Sequence, residues 1–337
     1  MILAGDIGGT HTRLAFFPQE PAAAPPVLEV FSSREYPGLA AIARKFLEGR
    51  KLQANIACFG IAGPVREGRV ETSNLPWVVD SRELAAELGI EPVFLINDLE
   101  ANAYGIAALA ASDFAVLNPG APSASGSQAL IAAGTGLGEA GLVWETSGRR
   151  PFPSEGGHAD FAPRNEVEIE LLRYLLARFD HVSYERVLSG PGLHTIYEFF
   201  RDTGRAAAPA PVAEEIAGGD AAAVISKYGL EGSPEICKKT LDLFVSIYGA
   251  EAGNLALKVM ATGGVFIGGG IAPKILPKLR EPVFLRSFVS KGRLRKVLED
   301  IPVRVIMNDK AALLGAARFA YLSRRLRALR KRRGADN

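Results

Sequence analysis

Apolar residues in the first third of the chain form short runs of strand length, separated by longer stretches with helical spacing. The runs at Ile2–Ile7 and 12–17 flank a Gly-Gly turn, a pattern typical of a β-hairpin. Ser81 precedes an amphipathic stretch and is expected to cap its helix. Further elements are predicted as strands at 27–31, 56–61 and 92–96 and helices at 38–48, 82–88 and 99–110. Because strands alternate with helices after the hairpin, we expect a largely parallel α/β sheet with a leading antiparallel pair.

A second unit with the same opening pattern follows a loop rich in Pro, Gly and Ser at 118–127, which we interpret as a boundary. Its first two strands, at 129–133 and 139–144, again flank a glycine turn. The remaining predicted elements are helices at 165–179, 191–202 and 234–260, strands at 264–267 and 302–306, and a final helix from about 310.

With 337 residues, of which 48% are hydrophobic, the chain has enough apolar side chains for two cores. We predict a smaller α/β domain of residues 1–110 with 309–337, and a larger one of residues 111–308. The final helix is expected to return and pack on the first domain.

Composition excludes several classes of protein. The high hydrophobic content and a net charge of only +2 argue against disorder. Cys58 and Cys237 are the two cysteines, too few for a disulfide framework or a structural zinc site of four cysteines. No basic leader precedes the first strand, and no uncharged stretch is long and unbroken enough to cross a bilayer. We therefore expect a cytoplasmic protein without membrane insertion.

Basic residues concentrate near the end of the sequence. Residues 324–333 hold seven of the 39 lysines and arginines, so the rest of the chain has fewer basic than acidic residues. A basic helix of this kind can dock on nucleic acid or an anionic membrane. Because no aromatic residues or second basic patch accompany it, we favour a solvated helix and expect no nucleic-acid partner.

Glycine is in excess: 36 glycines stand where an average composition would give about 24. One cluster follows the first strand, where Asp6 precedes Gly8, Gly9 and Thr10. Glycines let backbone N–H groups approach a phosphate closely, and a carboxylate beside them can hold Mg²⁺ through its water shell. An ordinary hairpin turn with a capping aspartate would look the same.

Two further clusters strengthen the phosphate interpretation. The corresponding turn of the second unit contains Gly134, Thr135 and Gly136, so two such turns could grip a nucleotide from both sides. Gly269 and Gly270 follow a later strand and offer flat backbone for an adenosine. Neither a G-x-G-x-x-G fingerprint nor a Walker A pattern is present, which disfavours Rossmann and P-loop chemistry.

Asn97 and Asp98 come directly after an apolar strand, where α/β sheets place their ligands. A carboxylate there could accept the proton of a substrate hydroxyl that attacks a γ-phosphate. Asp98 could equally cap the helix that follows.

A loop with two glycines carries Glu155 and His158. Together they offer a hydrogen-bond acceptor and a donor, as binding the hydroxyls of a sugar ring requires. Neither has the companion ligands of a metal site nearby. Glu185 could add a further carboxylate to the same ligand, or could be a surface acid paired with Arg186.

Together these motifs resemble the bacterial glucokinase family, the hexokinase-like group of the actin-like ATPase superfamily outside the ROK branch. The matching segments run in family order over nearly the whole chain: GDIGGTHTRLAF (5–16), TSNLPW (72–77), INDLEANAYG (96–105), AAGTGLG (132–138), EGGHADFAP (155–163), ERVLSGPGL (185–193) and GGVFIGGGIAPK (263–274). His11 and Thr12 depart from the Asn-Ala that the family more usually shows, so the side chain beside the phosphate turn differs. The zinc-binding cysteine cluster of the ROK branch is absent.

The resemblance implies a two-domain actin-like (ribonuclease H-like) α/β fold with the active site in the interdomain cleft, a homodimer, and phosphorylation of the glucose 6-hydroxyl by MgATP, the first step of glycolysis. Asp98 would be the general base. The residues implied to bind the sugar are Asn74, Asn97, Asp98, Glu155, His158 and Glu185. Those implied to bind MgATP are Asp6, which would hold Mg²⁺ through water, with Gly8, Gly9, Thr10, Gly134, Thr135, Gly136, Gly269 and Gly270. A non-catalytic actin-like ATPase and a kinase for another hexose, such as mannose or glucosamine, remain alternatives.

Overall fold

The fold is described from a computed structural model that covers residues 1–17, 27–72, 75–145 and 148–335, with side chains as far as residue 327. The chain divides into two compact units. The first contains Met1–Asp113 and Asn308–Asn337, and the second contains Phe114–Met307.

The first unit is built on a five-stranded sheet in the order β3-β2-β1-β4-β7, with β5 and β6 forming a separate two-stranded ribbon. Its elements are β1 (Ile2–Ile7), β2 (His11–Phe17), β3 (Val27–Ser32), α1 (Leu39–Arg50), β4 (Ile56–Ile61), β5 (Arg69–Glu71), β6 (Val78–Asp80), α2 (Ser81–Leu88), β7 (Val93–Asn97) and α3 (Asp98–Gly105). The strands β1 to β3 form an antiparallel meander, and β1, β4 and β7 run parallel. The predicted parallel sheet with a leading antiparallel hairpin is therefore confirmed.

The second unit contains a six-stranded sheet in the order β11-β10-β9-β12-β13-β8. Its elements are β8 (Phe114–Asn118), β9 (Gln128–Ala133), β10 (Leu137–Glu145), β11 (Gly148–Ser154), α4 (Glu166–Leu176), α5 (Gly190–Asp202), α6 (Ala210–Gly218), α7 (Ala221–Glu231), α8 (Glu235–Lys258), β12 (Val265–Gly268), α9 (Leu276–Leu279), α10 (Pro282–Val289), α11 (Arg295–Glu299) and β13 (Val303–Ile306). The meander β9 to β11 followed by parallel β12 and β13 repeats the pattern of the first sheet. The repeated hairpin and glycine turn seen in the sequence thus reflect two sheets that share the same arrangement of five strands, to which the second sheet adds β8 at its edge.

The structure corrects three details of the sequence interpretation. Asp80, not Ser81, caps α2, since its Oδ1 accepts from the backbone N–H groups of Arg82 and Glu83 at 2.8 and 3.3 Å. The helix predicted over 99–110 ends as an α-helix at Gly105 and continues as a 3₁₀ turn, Ile106–Ala108. The loop at 118–127 is not the boundary between the units, because β8 before it pairs with β13.

The last helix, α12 (Ala311–Ala335), belongs to the first unit and packs on β1, β4 and α3. Every residue of β4 is buried, because α1 and α2 cover one face of the sheet and α3 and α12 cover the other. An uninterrupted apolar strand is what burial on both faces requires. The face toward α12 includes the small side chains of Ala4, Ala15 and Cys58.

Two glycines bring α3 and α12 into backbone contact. A Cβ on Gly315 of α12 would lie 1.7 Å from the carbonyl oxygen of Ala101, and one on Gly105 of α3 would lie 2.1 Å from that of Ala311. Neither position admits any side chain without moving a helix. The position of α3, which begins at Asp98, is therefore set by its contact with α12.

Across the described residues, no helix has both the length and the apolar character needed to cross a membrane. Cys58 and Cys237 are both buried and unbridged. Burial raises the pKa of each thiol, which makes both thiols poor nucleophiles.

The contact between α3 and α12 predicts the effect of one added methyl group. Gly315→Ala should lower the free energy of unfolding by roughly 2 kcal/mol or more, because the methyl group must displace helix backbone. Gly49→Ala in α1 is the matched control, since a Cβ there meets nothing within 4 Å. It should be neutral or stabilising by roughly 0.5 kcal/mol. Denaturant unfolding of both variants tests this, and equal stability of Gly315→Ala and the unmodified protein would refute it.

Candidate active site

Asp6, in β1, lies beside an arginine that the sequence analysis did not single out. Arg13 is its direct partner across the β1–β2 pair, and Arg13 Nη1 lies 3.4 Å from Asp6 Oδ2. The same guanidinium donates to Asp309, with Nη2 3.1 Å from Oδ2 and Nη1 3.1 Å from the backbone carbonyl oxygen. Arg13 therefore joins the first strand of the unit to the segment that leads into α12.

Two carboxylates influence each other at this edge of the sheet. Burial raises the pKa of Asp6 to about 6; the Asp98 carboxylate adds to the rise and the Arg13 guanidinium opposes it. Parallel register places Ile7, Ile61 and Asn97 in one row, so the ends of β1 and β7 lie about 10 Å apart, two strand spacings. A cationic group bound near Asp6 and Asp98 would relieve their mutual repulsion.

Two hydrogen bonds from Ser33 fix the turn Gly8–Gly9–Thr10. The Ser33 hydroxyl donates to the Gly8 carbonyl at 2.8 Å, and the Ser33 N–H donates to the Thr10 carbonyl at 2.9 Å. Thr12, one of the two departures from the family pattern, is fully buried with its Oγ1 3.0 Å from Ser33 Oγ. Thr12 therefore supports the turn through Ser33, whereas the second departure, His11, is exposed.

Asn97 and Asp98 divide two roles that the sequence left open. The side-chain oxygen of Asn97 caps α3, accepting from Leu99 N at 2.9 Å and Glu100 N at 3.4 Å, while its Nδ2 donates to the Gly63 carbonyl. Asp98 is the first residue of the helix, and its Oδ1 accepts from Leu99 N at 2.9 Å. Asn97 thus supplies the cap, which leaves Asp98 half-buried at the carboxyl edge of the sheet.

In the second unit, the turn Gly134–Thr135–Gly136 lies against the start of α5. Gly134 N–H donates to the Gly136 carbonyl, and Gly190 N–H donates to the Gly134 carbonyl, both at 2.8 Å. Thr135 is exposed. A Cβ on Gly134 would meet nothing within 4 Å, so the outer face of this turn is open.

Glu185 is part of this turn and not a surface acid paired with Arg186. Its Oε2 accepts from the N–H of Leu137 at 2.9 Å, and a Cβ on Gly136 would lie 2.4 Å from the same oxygen. Arg186 instead stacks over the Phe179 ring, 4.0 Å from its centroid. A carboxylate from 48 residues further along the chain therefore fixes the start of β10.

The loop with Glu155 and His158 packs on the other side of the same residue. Gly156–His158 forms a 3₁₀ turn, and a Cβ on Gly157 would lie 2.0 Å from the Leu137 carbonyl oxygen. Glu155 and His158 are both exposed. The structure thus brings Glu155, His158 and Glu185 together around Leu137, beside the glycine turn.

A cavity of about 750 Å³ in the second unit adjoins the glycine turn. Its lining includes the predicted residues Gly134, Thr135 and Gly270 and the N-terminal residues of α5 and α7, together with His194, Asp220 and Lys274. Gly269, at φ +81°, lies behind it: a Cβ there would lie 2.1 Å from the Ala133 carbonyl oxygen. Helix N-termini and a lysine favour anionic groups. The volume is typical of a small-molecule site.

Four residues of the candidate site were not predicted from the sequence: Arg13, His194, Asp220 and Lys274. Lys274 lies in the matched segment 263–274, and Arg13 in 5–16, so proximity to a motif was the one available signal. Asn74, by contrast, lies outside the described residues. Within the described chain, no group of three or more His, Cys, Asp or Glu side chains could hold a metal ion by itself. Asp6 and Asp98 nevertheless suit Mg²⁺, which binds one or two carboxylates together with substrate phosphates.

Comparison with known proteins supplies the family. The glucokinase family model matches residues 3–323. A glucokinase of Nostoc punctiforme is 43% identical, covering 94% of this chain and 98% of its own length. A glucokinase structure from an Antarctic psychrotroph is 31% identical, with a TM-score of 0.81 over 95% of this chain and 98% of the other.

A more distant structure shares the fold alone. A ROK-family glucokinase from Streptomyces griseus, solved with glucose and AMPPNP, has a TM-score of 0.64 at 19% identity, covering 95% of this chain and 98% of its own. The fold is thus the one shared by glucokinases and ROK sugar kinases, and the family match decides against a non-catalytic actin-like ATPase. The chain belongs to the glucokinase family, whose reaction is the ATP-dependent phosphorylation of glucose.

Proposed function

We propose that Asp98 is the general base of this reaction, accepting the proton of the glucose 6-hydroxyl. The observation that carries the proposal is the division of roles at the start of α3. Asn97 accepts from the N–H groups of both Leu99 and Glu100, so α3 keeps its cap independently of the Asp98 carboxylate. Its Oδ1 is oriented by the Leu99 N–H. A carboxylate that is fixed, half-buried and at the carboxyl edge of a parallel sheet is suited to act on a bound hydroxyl.

The transfer step is then a displacement at phosphorus. The 6-oxygen of glucose forms a bond to the γ-phosphorus as the bond from that phosphorus to the β–γ bridging oxygen breaks, and ADP leaves with that electron pair. Asp98 receives the hydroxyl proton. Such transfers need positioning and charge stabilisation more than covalent participation by the protein.

The remaining hydroxyls of glucose are assigned to Glu155, His158, Glu185 and Asn97. Asn97 Oδ1 accepts from the two N–H groups that it caps, and one Nδ2 hydrogen goes to the Gly63 carbonyl, so the second Nδ2 hydrogen is the one that would donate to the sugar. Glu155 and His158 are exposed, and the turn that carries them packs closely on Leu137 and Glu139 through its two glycines. Asn74 is assigned to the same sugar from the sequence resemblance.

The nucleotide is assigned to the two glycine turns and the cavity of the second unit. Gly134, Thr135 and Gly136 would face the phosphates, with Gly8, Gly9 and Thr10 as the equivalent turn of the first unit. Gly269 and Gly270 would border the adenosine. Lys274 and the N-termini of α5 and α7 would attract the negatively charged phosphates of the nucleotide. Asp220, which also lines the cavity, would accept hydrogen bonds from the ribose hydroxyls.

Mg²⁺ is assigned to Asp6, through water, with Asp98 nearby. When bound, the ion neutralises charge on the phosphate oxygens as the bridging bond breaks. Arg13 would hold the Asp6 carboxylate in place while the nucleotide is exchanged. The family resemblance also supports a cytoplasmic homodimer as part of this proposal.

Asp98→Asn tests the general base. The amide oxygen can still accept from Leu99 N–H, so the fold and ATP binding should persist while kcat falls about 10²- to 10⁴-fold. Glu100→Gln, which changes another half-buried carboxylate in the first turn of α3, is the control and should retain kcat. Steady-state kinetics with glucose and direct measurement of ATP affinity give both quantities. An Asp98→Asn enzyme with normal kcat would exclude the assignment.

Substitutions in the proposed sugar site and in the proposed nucleotide site should change different Michaelis constants. Glu155→Gln and His158→Ala should each raise the KM for glucose about tenfold, the effect of one lost hydrogen bond of about 1.4 kcal/mol, and leave the KM for ATP unchanged. Lys274→Met should do the reverse. Each variant controls for the other in the same coupled assay. If the two Glu155 and His158 variants shift only the KM for ATP, the sugar site is misplaced.

A further inference from the structure

A carboxyl group that the phosphoryl transfer does not use lies buried beneath the turn that carries Glu155 and His158. Glu139, in β10, is 1% exposed. Neither of its carboxyl oxygens accepts a hydrogen bond from any donor in the described part of the chain. A buried carboxylate without donors is strongly disfavoured, so the group must take up a proton or a partner.

The partner that faces Glu139 is a second buried carboxyl. Glu251, in α8, is 0% exposed, and its carboxylate acts on that of Glu139 and raises the pKa of Glu139. Its Oε2 accepts from Asn254 Nδ2 at 2.7 Å and its Oε1 from Lys258 Nζ at 3.0 Å. Two ionised carboxylates can only accept, so a hydrogen bond between them requires one proton. Since both oxygens of Glu251 already have donors, the proton belongs on Glu139.

The Glu139 carboxyl also touches the sugar-binding turn. A Cβ on Gly156 would lie 2.0 Å from Glu139 Oε2 and 2.8 Å from its Cδ, so glycine is required there for the turn to approach. Gly156 N–H donates to Ser154 Oγ at 3.0 Å, and Ser154 is the direct partner of Glu139 across β10 and β11. The turn between Glu155 and His158 therefore rests on the Glu139 carboxyl and the strand that carries it.

We propose that protonated Glu139, hydrogen-bonded to Glu251, is a positioning residue for the Glu155–His158 turn, and that tight binding of glucose requires this proton. The inference rests on the proposed role of Glu155 and His158 in sugar binding. Glu139 does not touch the sugar or the phosphates in this scheme; it acts through Gly156.

The groups around Glu139 support a shift of its titration into the range above neutrality. Burial raises the pKa of Glu139 from 4.5 to about 8, the Glu251 charge adds to this, and Lys258 opposes it. Tyr248 of α8 and Tyr184 after α4 also face the pair, and burial raises the pKa of both so that they stay neutral.

One further group near this network titrates in the same window. Lys291, which follows α10, donates to Asn254 Oδ1 and to the Ala250 carbonyl. Burial lowers the pKa of Lys291 to about 8, with Arg164 and Lys258 also lowering it and Glu251 and Glu168 opposing. Any pH effect on glucose binding must therefore be assigned between Glu139 and Lys291 by mutation.

Ionisation of Glu139 would place two negative charges side by side under Gly156 and displace the turn. At pH 9, one unit above the pKa, about one molecule in ten keeps the proton, so the KM for glucose should rise roughly tenfold between pH 7 and 9. The KM for ATP should stay constant, because the proton acts on the sugar turn and not on the nucleotide cavity.

Glu139→Gln is the decisive variant, because its amide donates to Glu251 at every pH and fills the same space. We expect the KM for glucose of Glu139→Gln to stay within about twofold from pH 7 to 9, with kcat unchanged at pH 7. Lys291→Arg, which keeps its charge throughout, is the control and should retain the tenfold rise. A rise that persists in Glu139→Gln, or disappears in Lys291→Arg alone, would overturn the proposal.

A second measurement does not depend on activity. Between pH 5 and 8 the folded protein holds a proton on Glu139 that the unfolded chain has released, so this group makes the free energy of unfolding fall as the pH rises. Glu139→Gln should remove that part of the slope, and an unchanged slope would contradict the proton assignment. A wrong assignment of the sugar site would give a different result from a wrong role for Glu139. If the sugar site is wrong, Glu155→Gln and His158→Ala leave the KM for glucose unaltered at pH 7.

Discussion

The close approach of α3 and α12 is the contact on which the first unit depends. Gly105 and Gly315 let the two helices meet backbone to backbone, and this meeting closes one face of the five-stranded sheet. Asp98 is the first residue of α3, so the contact that seals the core also fixes the proposed general base. Arg13 adds a polar connection, joining Asp6 of β1 to Asp309 just before α12. Stability and catalytic geometry in this unit therefore share one origin.

The second unit positions its groups through one backbone residue. Leu137 donates its N–H to Glu185 and has Gly157 against its carbonyl, so the backbone of one residue holds both the turn proposed to bind phosphate and the turn proposed to bind sugar. Glu139, two residues further along β10, contacts the turn proposed to bind sugar at Gly156. An alternating strand sends Leu137 and Glu139 to the same face of the sheet. The start of β10 thus supports the proposed sugar and nucleotide sites together.

Local patterns predicted much of the fold, and long-range packing accounts for what they missed. The hairpin around Gly8 and the repeat around Gly134 follow from strand alternation and turn residues, and the structure confirms both. The choice between Asn97 and Asp98 as helix cap needed coordinates, because either residue type can cap. The role proposed for Glu139 could not be predicted from the sequence. It depends on Glu251, more than a hundred residues away, and on the absence of a hydrogen-bond donor to Glu139 among the described residues.

The return of α12 also orders events during synthesis. Residues 114–307 leave the ribosome as one continuous stretch, whereas the sheet of the first unit must wait for a helix translated after all of them. Until that helix arrives, this face of β1 and β4 lacks the part of its cover that α12 provides, and α3 lacks the helix that fixes its position. The first unit, and with it the placement of Asp98, is therefore completed only after the last residue of the second unit has been made. A chain shortened before α12 would accordingly keep every residue of the second unit and lose the helix that positions α3 and Asp98.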